Sequence, residues 1–321
     1  MQTKSFDTPV VFIIFNRPKP TRLVFDAIAA TRPKKLFLIA DGPRPNKDGE
    51  AEACEEVRKI VSAVDWPCEV VTNFSEKNLG CKERIISGLD WVFSIVEEAI
   101  ILEDDCLPDP SFFPYCAELL GRYRGDARFS MIAGTNFVEG QLETEYSYFY
   151  SQMIHIWGWA TWREAWQRYD RHLRNWPEIK RAGLLSEVFD SLRTVRYWTR
   201  VFDSMFDGTG PDTWDYQWVY TSLMNNSLSI VPCVNLVTNI GFGPDATHTV
   251  AADTAQSLQS GSLSFPLKHP PGIVPLRRMD RYDQKIAFST PLTQRILSGI
   301  CFVRDKVVGC ARAVLGSRSL G

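Results

Sequence analysis

The sequence predicts an α/β fold, a mostly parallel central sheet flanked by helices, with a C-terminal extension. Short apolar runs rich in β-branched residues alternate with helical patterns through the first hundred residues, the signature of a parallel sheet with right-handed crossovers. Polar residues fall just after each run, at the carboxyl ends of the strands, where such sheets bind ligands. A chain of 321 residues that is 45% hydrophobic and 23% charged has material for one large core or two closely packed ones.

The first run, residues 10–15, consists of Val, Phe and Ile and is ended by Asn16, Arg17 and Pro18. A helical pattern over 21–30 follows, with Leu23, Val24, Ala27 and Ile28 on one face. The unit repeats as a strand over 35–40, a sharp turn at Asp41-Gly42-Pro43 and a helix over 50–64. A third strand spans 68–72. Asn78-Leu79-Gly80 then turns into a helix over 81–96, whose apolar face carries Ile85, Ile86, Leu89, Val92, Phe93 and Val96. The fourth strand, 99–102, is cut off by Glu103, Asp104 and Asp105 and then by Pro108 and Pro110.

Three adjacent acids repel one another and are costly to bury without a counter-ion. One reading is a solvated acidic turn. The other is a hard divalent cation with oxygen ligands, itself capped by a substrate diphosphate. The neighbouring residues favour the second, because Asn16, Arg17, Asp41, Lys82 and Arg84 each follow a strand or open the next helix and so converge on the same crevice. There Asp41 is placed to accept from a base or ribose, and Lys82 and Arg84 to reach phosphate oxygens near a helix N-terminus. Each has a plainer counterpart: Asp-Gly is a good turn dipeptide, and Lys-Glu-Arg an ordinary solvated helix face. The glycine patterns of dinucleotide folds and P-loops are missing from the sequence.

Net charge of −2 and a pI near 6.1 give no reason to expect nucleic acid. Eight cysteines without a Cys-x-x-Cys pair read as reduced thiols of a cytoplasmic protein. The first nine residues lack the basic start and apolar stretch of a secretion signal, and no apolar run has membrane-spanning length.

Four blocks carry a resemblance: Phe-Asn-Arg-Pro at 15–18, Ala-Asp-Gly at 40–42, Asn-Leu-Gly at 78–80, and Leu-Glu-Asp-Asp-Cys-Leu-Pro-Asp-Pro-Ser-Phe-Phe at 102–113. They resemble the GT-A glycosyltransferases, in particular bacterial family-2-like members and, more distantly, the N-acetylglucosaminyltransferase I family. The last block looks like the family's metal motif and is the most specific of the four. The resemblance covers roughly residues 9–250. It implies a nucleotide-sugar-binding half over 1–125 and an acceptor-side half of the same domain over 126–250. It also implies that Asp105 binds a manganese or magnesium ion on the donor diphosphate, with Glu103 and Asp104 near the ribose or one layer behind.

Farther along, 128–136 reads as a strand. Thr161 with Glu164 has the spacing of a capping box, which predicts a helix there with Trp157-Gly158-Trp159 as the loop leading in. In the family such a segment forms part of the donor-sugar pocket, so the resemblance implies Trp159 as a donor contact; Trp162 and Trp166 read as core. Residues 170–210 read as helical without chemistry. Another helix opens at Pro211, where Asp212 suits the N-cap and Asp215 the first turn. Its Trp-Asp-x-x-Trp pattern resembles the segment that carries the base of inverting GT-A enzymes, which implies Asp215 as base with Asp212 in reserve.

After a strand over 229–236, a glycine-rich loop holds His248. The resemblance implies a metal or diphosphate contact for it, against the plainer reading of a surface histidine. Residues 251–290 read as an extended strap. The tail, 291–321, mixes apolar residues with Arg295, Arg304, Lys306, Arg312 and Arg318, and Asp305 is its single acid. It either lies on the anionic inner face of a plasma membrane as a peripheral contact or docks on the core or on a second subunit of a homodimer.

The function expected is a metal-dependent inverting glycosyltransferase. It would move a sugar from a nucleotide-diphosphate sugar, a UDP-sugar foremost, to a saccharide or lipid-linked saccharide in bacterial surface polysaccharide assembly. A sugar nucleotidyltransferase and a non-catalytic glycan- or nucleotide-binding relative are the alternatives.

Overall fold

The computed structural model describes residues 6–241 and 258–286. The first four strands, β1 (Val10–Ile14), β2 (Lys35–Ala40), β3 (Glu69–Phe74) and β4 (Glu98–Glu103), alternate with α1 (Pro18–Thr31), α2 (Glu50–Ser62) and α3 (Gly80–Ile95). Pro18 opens α1, where the missing N–H costs nothing. Next come β5 (Cys106–Pro108), α4 (Phe112–Arg122), β6 (Phe129–Ala133), β7 (Tyr148–Ser151), β8 (Trp159–Trp162) and the one-turn α5 (Arg163–Trp166). A helical region of α6 (Trp176–Arg181), α7 (Leu185–Val188), α8 (Leu192–Phe206) and α9 (Asp215–Met224) leads to β9 (Leu228–Pro232), β10 (Val237–Asn239) and α10 (Arg277–Ile286).

Eight strands form one sheet in the order β3-β2-β1-β4-β8-β6-β9-β7. β3, β2, β1 and β4 are mutually parallel, with Val10 of β1 opposite Leu36 on one side and Ile100 on the other. β8 runs antiparallel between β4 and β6, and β7 antiparallel to β9. The mostly parallel sheet is therefore as the alternation predicts. β1 is buried at every position because helices cover both faces, which is why its sequence is a continuous apolar run and not an alternating one. Phe25, Ile28, Val57 and Leu119 belong to the apolar layer on one face, and Ile85, Leu89, Trp166, Trp198 and Trp218 to the layer on the other.

A separate antiparallel ribbon of β5 and β10 pairs Cys106 with Asn239 and brings Gly241 beside Asp105. From residue 258 the chain runs back across the molecule. The Ser262 hydroxyl donates to Asp109 at 2.8 Å and the Ser147 N–H to the Lys268 carbonyl at 2.8 Å.

Two expectations differ from the structure. Thr161 caps no helix: it lies in β8 and its hydroxyl donates to the Ser130 carbonyl at 2.5 Å, because pairing with β4 on one side and β6 on the other outweighs the local capping signal. The strap expected over 251–290 contains a ten-residue helix, α10, anchored by the buried Asp280 and Asp283. The six cysteines among the described residues are unpaired, and no helix among them is long and apolar enough to cross a membrane.

Candidate functional site

A cavity of about 420 Å³ opens at the carboxyl ends of β1, β2 and β4. Its wall is closed by the 212–215 segment that leads into α9 and by Asn239 and Gly241 after β10. Of the residues expected there, Arg17, Asp41, Arg84, Glu103, Asp104, Asp105 and Asp215 line it, with Asp212 beside them.

The acidic triplet is held by Arg17. Its guanidinium meets Asp104 through two nitrogens and lies 3.0 Å from the Asp105 carboxylate. Burial opposes the charge on Arg17, but Asp104 and Asp105 together outweigh it and keep the guanidinium charged. Burial also pushes the Asp104 carboxyl up, with Arg17 pulling it back. Glu103 is pushed up by burial, then by Asp105 and Asp104, with a further contribution from Asp215 across the cavity. The other Asp105 oxygen has the Cys106 thiol at 3.5 Å. A side chain on Gly241 would collide with Asp105, so the glycine lets the ribbon close over this carboxylate.

Asp41 has both oxygens engaged. One accepts the N–H groups of Gly42 and Leu79 at 2.9 Å each; the other accepts the Gly80 N–H and the Asn78 amide at 3.0 Å each. Burial pushes its pKa up while these donors pull it back. Asp212 accepts the next N–H, that of Cys81, at 2.9 Å. Gly80 has φ +81, and a Cβ there would strike the Asp212 carboxylate, so only glycine fits. The leading N–H groups of α3 are thus capped by two carboxylates from other parts of the chain, and are not donors for a phosphate. Asp212 does not cap α9 as its position predicts; Trp214 stands at that N-cap.

Asp215 is the first residue of α9, where the helix dipole favours a carboxylate, and accepts from the Thr213 hydroxyl. Arg84 is buried. One of its terminal nitrogens donates to the Asn73 carbonyl at 3.1 Å, its Nε has no partner among the described residues, and burial lowers its pKa.

Three expected residues are absent from the cavity wall. Asn16 donates to Glu50 at 2.9 Å, and Glu50 in turn fixes Arg44, which does line the cavity. Lys82 Nζ lies 3.1 Å from the Gln217 amide oxygen, and the amide nitrogen donates to the carbonyls of Thr213 and Trp214 at 3.2 Å each; Lys82 thereby ties α3 to α9. Trp159 is 1% exposed in β8 and stacks on Trp214 with ring centroids 5.4 Å apart, so it supports the wall from behind. Strand pairing turns it into the core, and Trp157, two residues earlier, lies on the wall instead. His248 lies outside the described residues.

Sequence reasoning missed Arg44, Cys81 and Trp214. Arg44 had a signal, since it follows the Asp-Gly-Pro turn; in the structure its guanidinium sits 5.6 Å from the Phe15 ring. Cys81 had none. Its thiol is pushed up by burial and by Glu103, Asp212, Asp215 and Asp41 in that order, all four of which line the same cavity.

The carboxylates at the end of β4 are hard oxygen donors of the kind a divalent cation takes. Among the described residues no three His, Cys, Asp or Glu side chains form a metal-binding group, so the protein offers there only a partial ligand set.

No family model and no curated protein matches the chain. Among solved structures, apo UDP-glucose pyrophosphorylase resembles it with a TM-score of 0.32 and 9% identity, over 70% of this chain and 90% of that one. A likeness that slight carries no argument about either fold or chemistry.

Proposed function

We propose that the cavity binds a nucleotide-diphosphate sugar, a UDP-sugar foremost, and that the protein is an inverting, metal-dependent glycosyltransferase acting on a saccharide acceptor. The observation that carries this reading is the convergence on one cavity of the β4 acids, held by Arg17, and of Asp215 from the second half of the chain. The resemblance of the 102–113 block to the GT-A metal motif supports it.

Six carboxylates and three guanidinium groups line the cavity. An anionic diphosphate would meet an excess of like charge there, and a divalent cation would remove that conflict. Asp105 would hold it, with Glu103 and Asp104 near the ribose or one layer behind, and diphosphate oxygens would complete the ligand set. When bound, the ion would neutralise charge on the leaving diphosphate. Arg17 would hold the Asp104 and Asp105 carboxylates in position, and Arg84, on the cavity wall, would offer positive charge to the donor. Asp215 would accept the proton of the acceptor hydroxyl as the oxygen attacks the sugar's anomeric carbon from the face opposite the diphosphate.

Thermal unfolding with a panel of nucleotide sugars, each with manganese or with chelator, tests the reading. One nucleotide class should raise the melting temperature only with manganese, and Asp105→Ala should lose that increment. Asp215→Asn should keep the shift and lose transfer by about 10²- to 10⁴-fold. Undiminished transfer by Asp215→Asn would reject the base, and no shift with any nucleotide would reject the donor site.

A further inference from the structure

Helix α8 turns Trp198, Phe202 and Met205 inward, all buried. Helical periodicity puts Leu192, Arg193, Arg196 and Arg200 on the opposite face, where Leu192 is 70% exposed and the three arginines are exposed. Arg196 and Arg200 have neither ion pair nor hydrogen bond among the described residues. Asp203, the one acid in α8, is engaged by Lys180 at 2.7 Å and by the Trp176 indole at 3.0 Å. Just before α7, Leu184 is 44% exposed beside Arg181, and residues 180–200 hold five basic side chains against two acids. The chain as a whole carries −2, so this positive face is a local feature.

Asp190, at the foot of α8, pairs with Arg281 of α10 at 2.7 Å. The described part of α10 ends at Ile286, five residues after Arg281 and about 7.5 Å along a helix; residues 287–321 follow it in sequence. Those residues contain five basic side chains and one acid. A segment of that charge is a poor cover for an arginine stripe, and both suit the same anionic partner.

We propose that the outer face of α8, with Leu184 and Arg181, docks on an anionic lipid surface. The leucines enter the headgroup region and the arginines pair with lipid phosphates. The face lies directly behind the candidate site, because Trp198 of α8 packs edge-on against Tyr216, the neighbour of Asp215, with centroids 6.2 Å apart.

The test is sedimentation of the full chain with phosphatidylcholine vesicles, with and without phosphatidylglycerol. Wild type should partition only onto the anionic vesicles, and less as salt rises. The double variant Arg196→Ala/Arg200→Ala should partition roughly thirty-fold more weakly, at about 1 kcal/mol for each arginine, with an unchanged melting temperature. Arg22→Ala, an exposed arginine on α1, should bind as wild type does. Equal partitioning by the double variant, an equal loss in Arg22→Ala, or a wild type that binds soluble dextran sulfate but not the vesicles would each overturn the lipid assignment.

Discussion

At Asp41 the buried carboxylate closes the start of α3, and its removal would leave the Leu79 and Gly80 N–H groups without their acceptor. Asp41→Ala should therefore cost about 2 kcal/mol, within the range for losing a helix cap, and hydrogen exchange should quicken at Leu79 and Gly80 before elsewhere in α3. An unchanged unfolding midpoint would mean that water replaces the carboxylate. Arg17 is a second such residue. It neutralises Asp104, which is 3% exposed, so Arg17→Ala leaves a buried carboxylate unpaired and should destabilise by about 3 kcal/mol, read from denaturant unfolding.

The clearest element is α10. Asp280 accepts from the Ser151 hydroxyl at 2.6 Å, and Asp283 meets His155 at 2.5 Å, with both aspartates buried against β7 and the segment after it. Burial pushes Asp280 up to about 6, with the Ser151 and Gln152 bonds and His155 pulling down and Asp283 pushing further up. Below the ordinary aspartate value both folded and unfolded chains hold the proton. Between that value and about 6 only the folded chain holds it, and above about 6 neither does. Stability from this group therefore falls by about 3 kcal/mol as pH climbs from 4 to 6, and is level above. Asp280→Asn cannot ionise, so its stability relative to wild type should rise across that window; parallel profiles would show that Asp280 titrates normally.

Across the whole molecule, the two halves expected from sequence share one sheet. β8 from the second half pairs with β4 from the first, and the apolar layer containing Trp166, Trp214 and Trp218 also holds Ile85, Leu89 and Phe93 from α3. Eight of the ten tryptophans lie between residues 157 and 218, so fluorescence reports the second half while far-ultraviolet dichroism reports both. Their thermal transitions should coincide as one cooperative event. A fluorescence transition that separates from the dichroism would show that the halves unfold independently.

The sequence by itself determined the parallel half of the sheet and the location of the crevice, because a buried parallel strand needs a continuous apolar run and its carboxyl end gathers polar residues. The tertiary structure decided which of those residues reach the cavity. Asn16, Lys82 and Trp159 are at the right positions along the chain, yet Glu50, Gln217 and Trp214 draw them away from the wall. Asp212 belongs to α3 and not to its own helix, since a carboxylate caps whichever N-terminus lies nearest in space. β8 likewise overrides a capping signal because its hydrogen-bond partners are contributed by β4 and β6. Local patterns record periodicity and turn chemistry, while side-chain direction depends on partners from distant parts of the chain, which no short window of sequence contains.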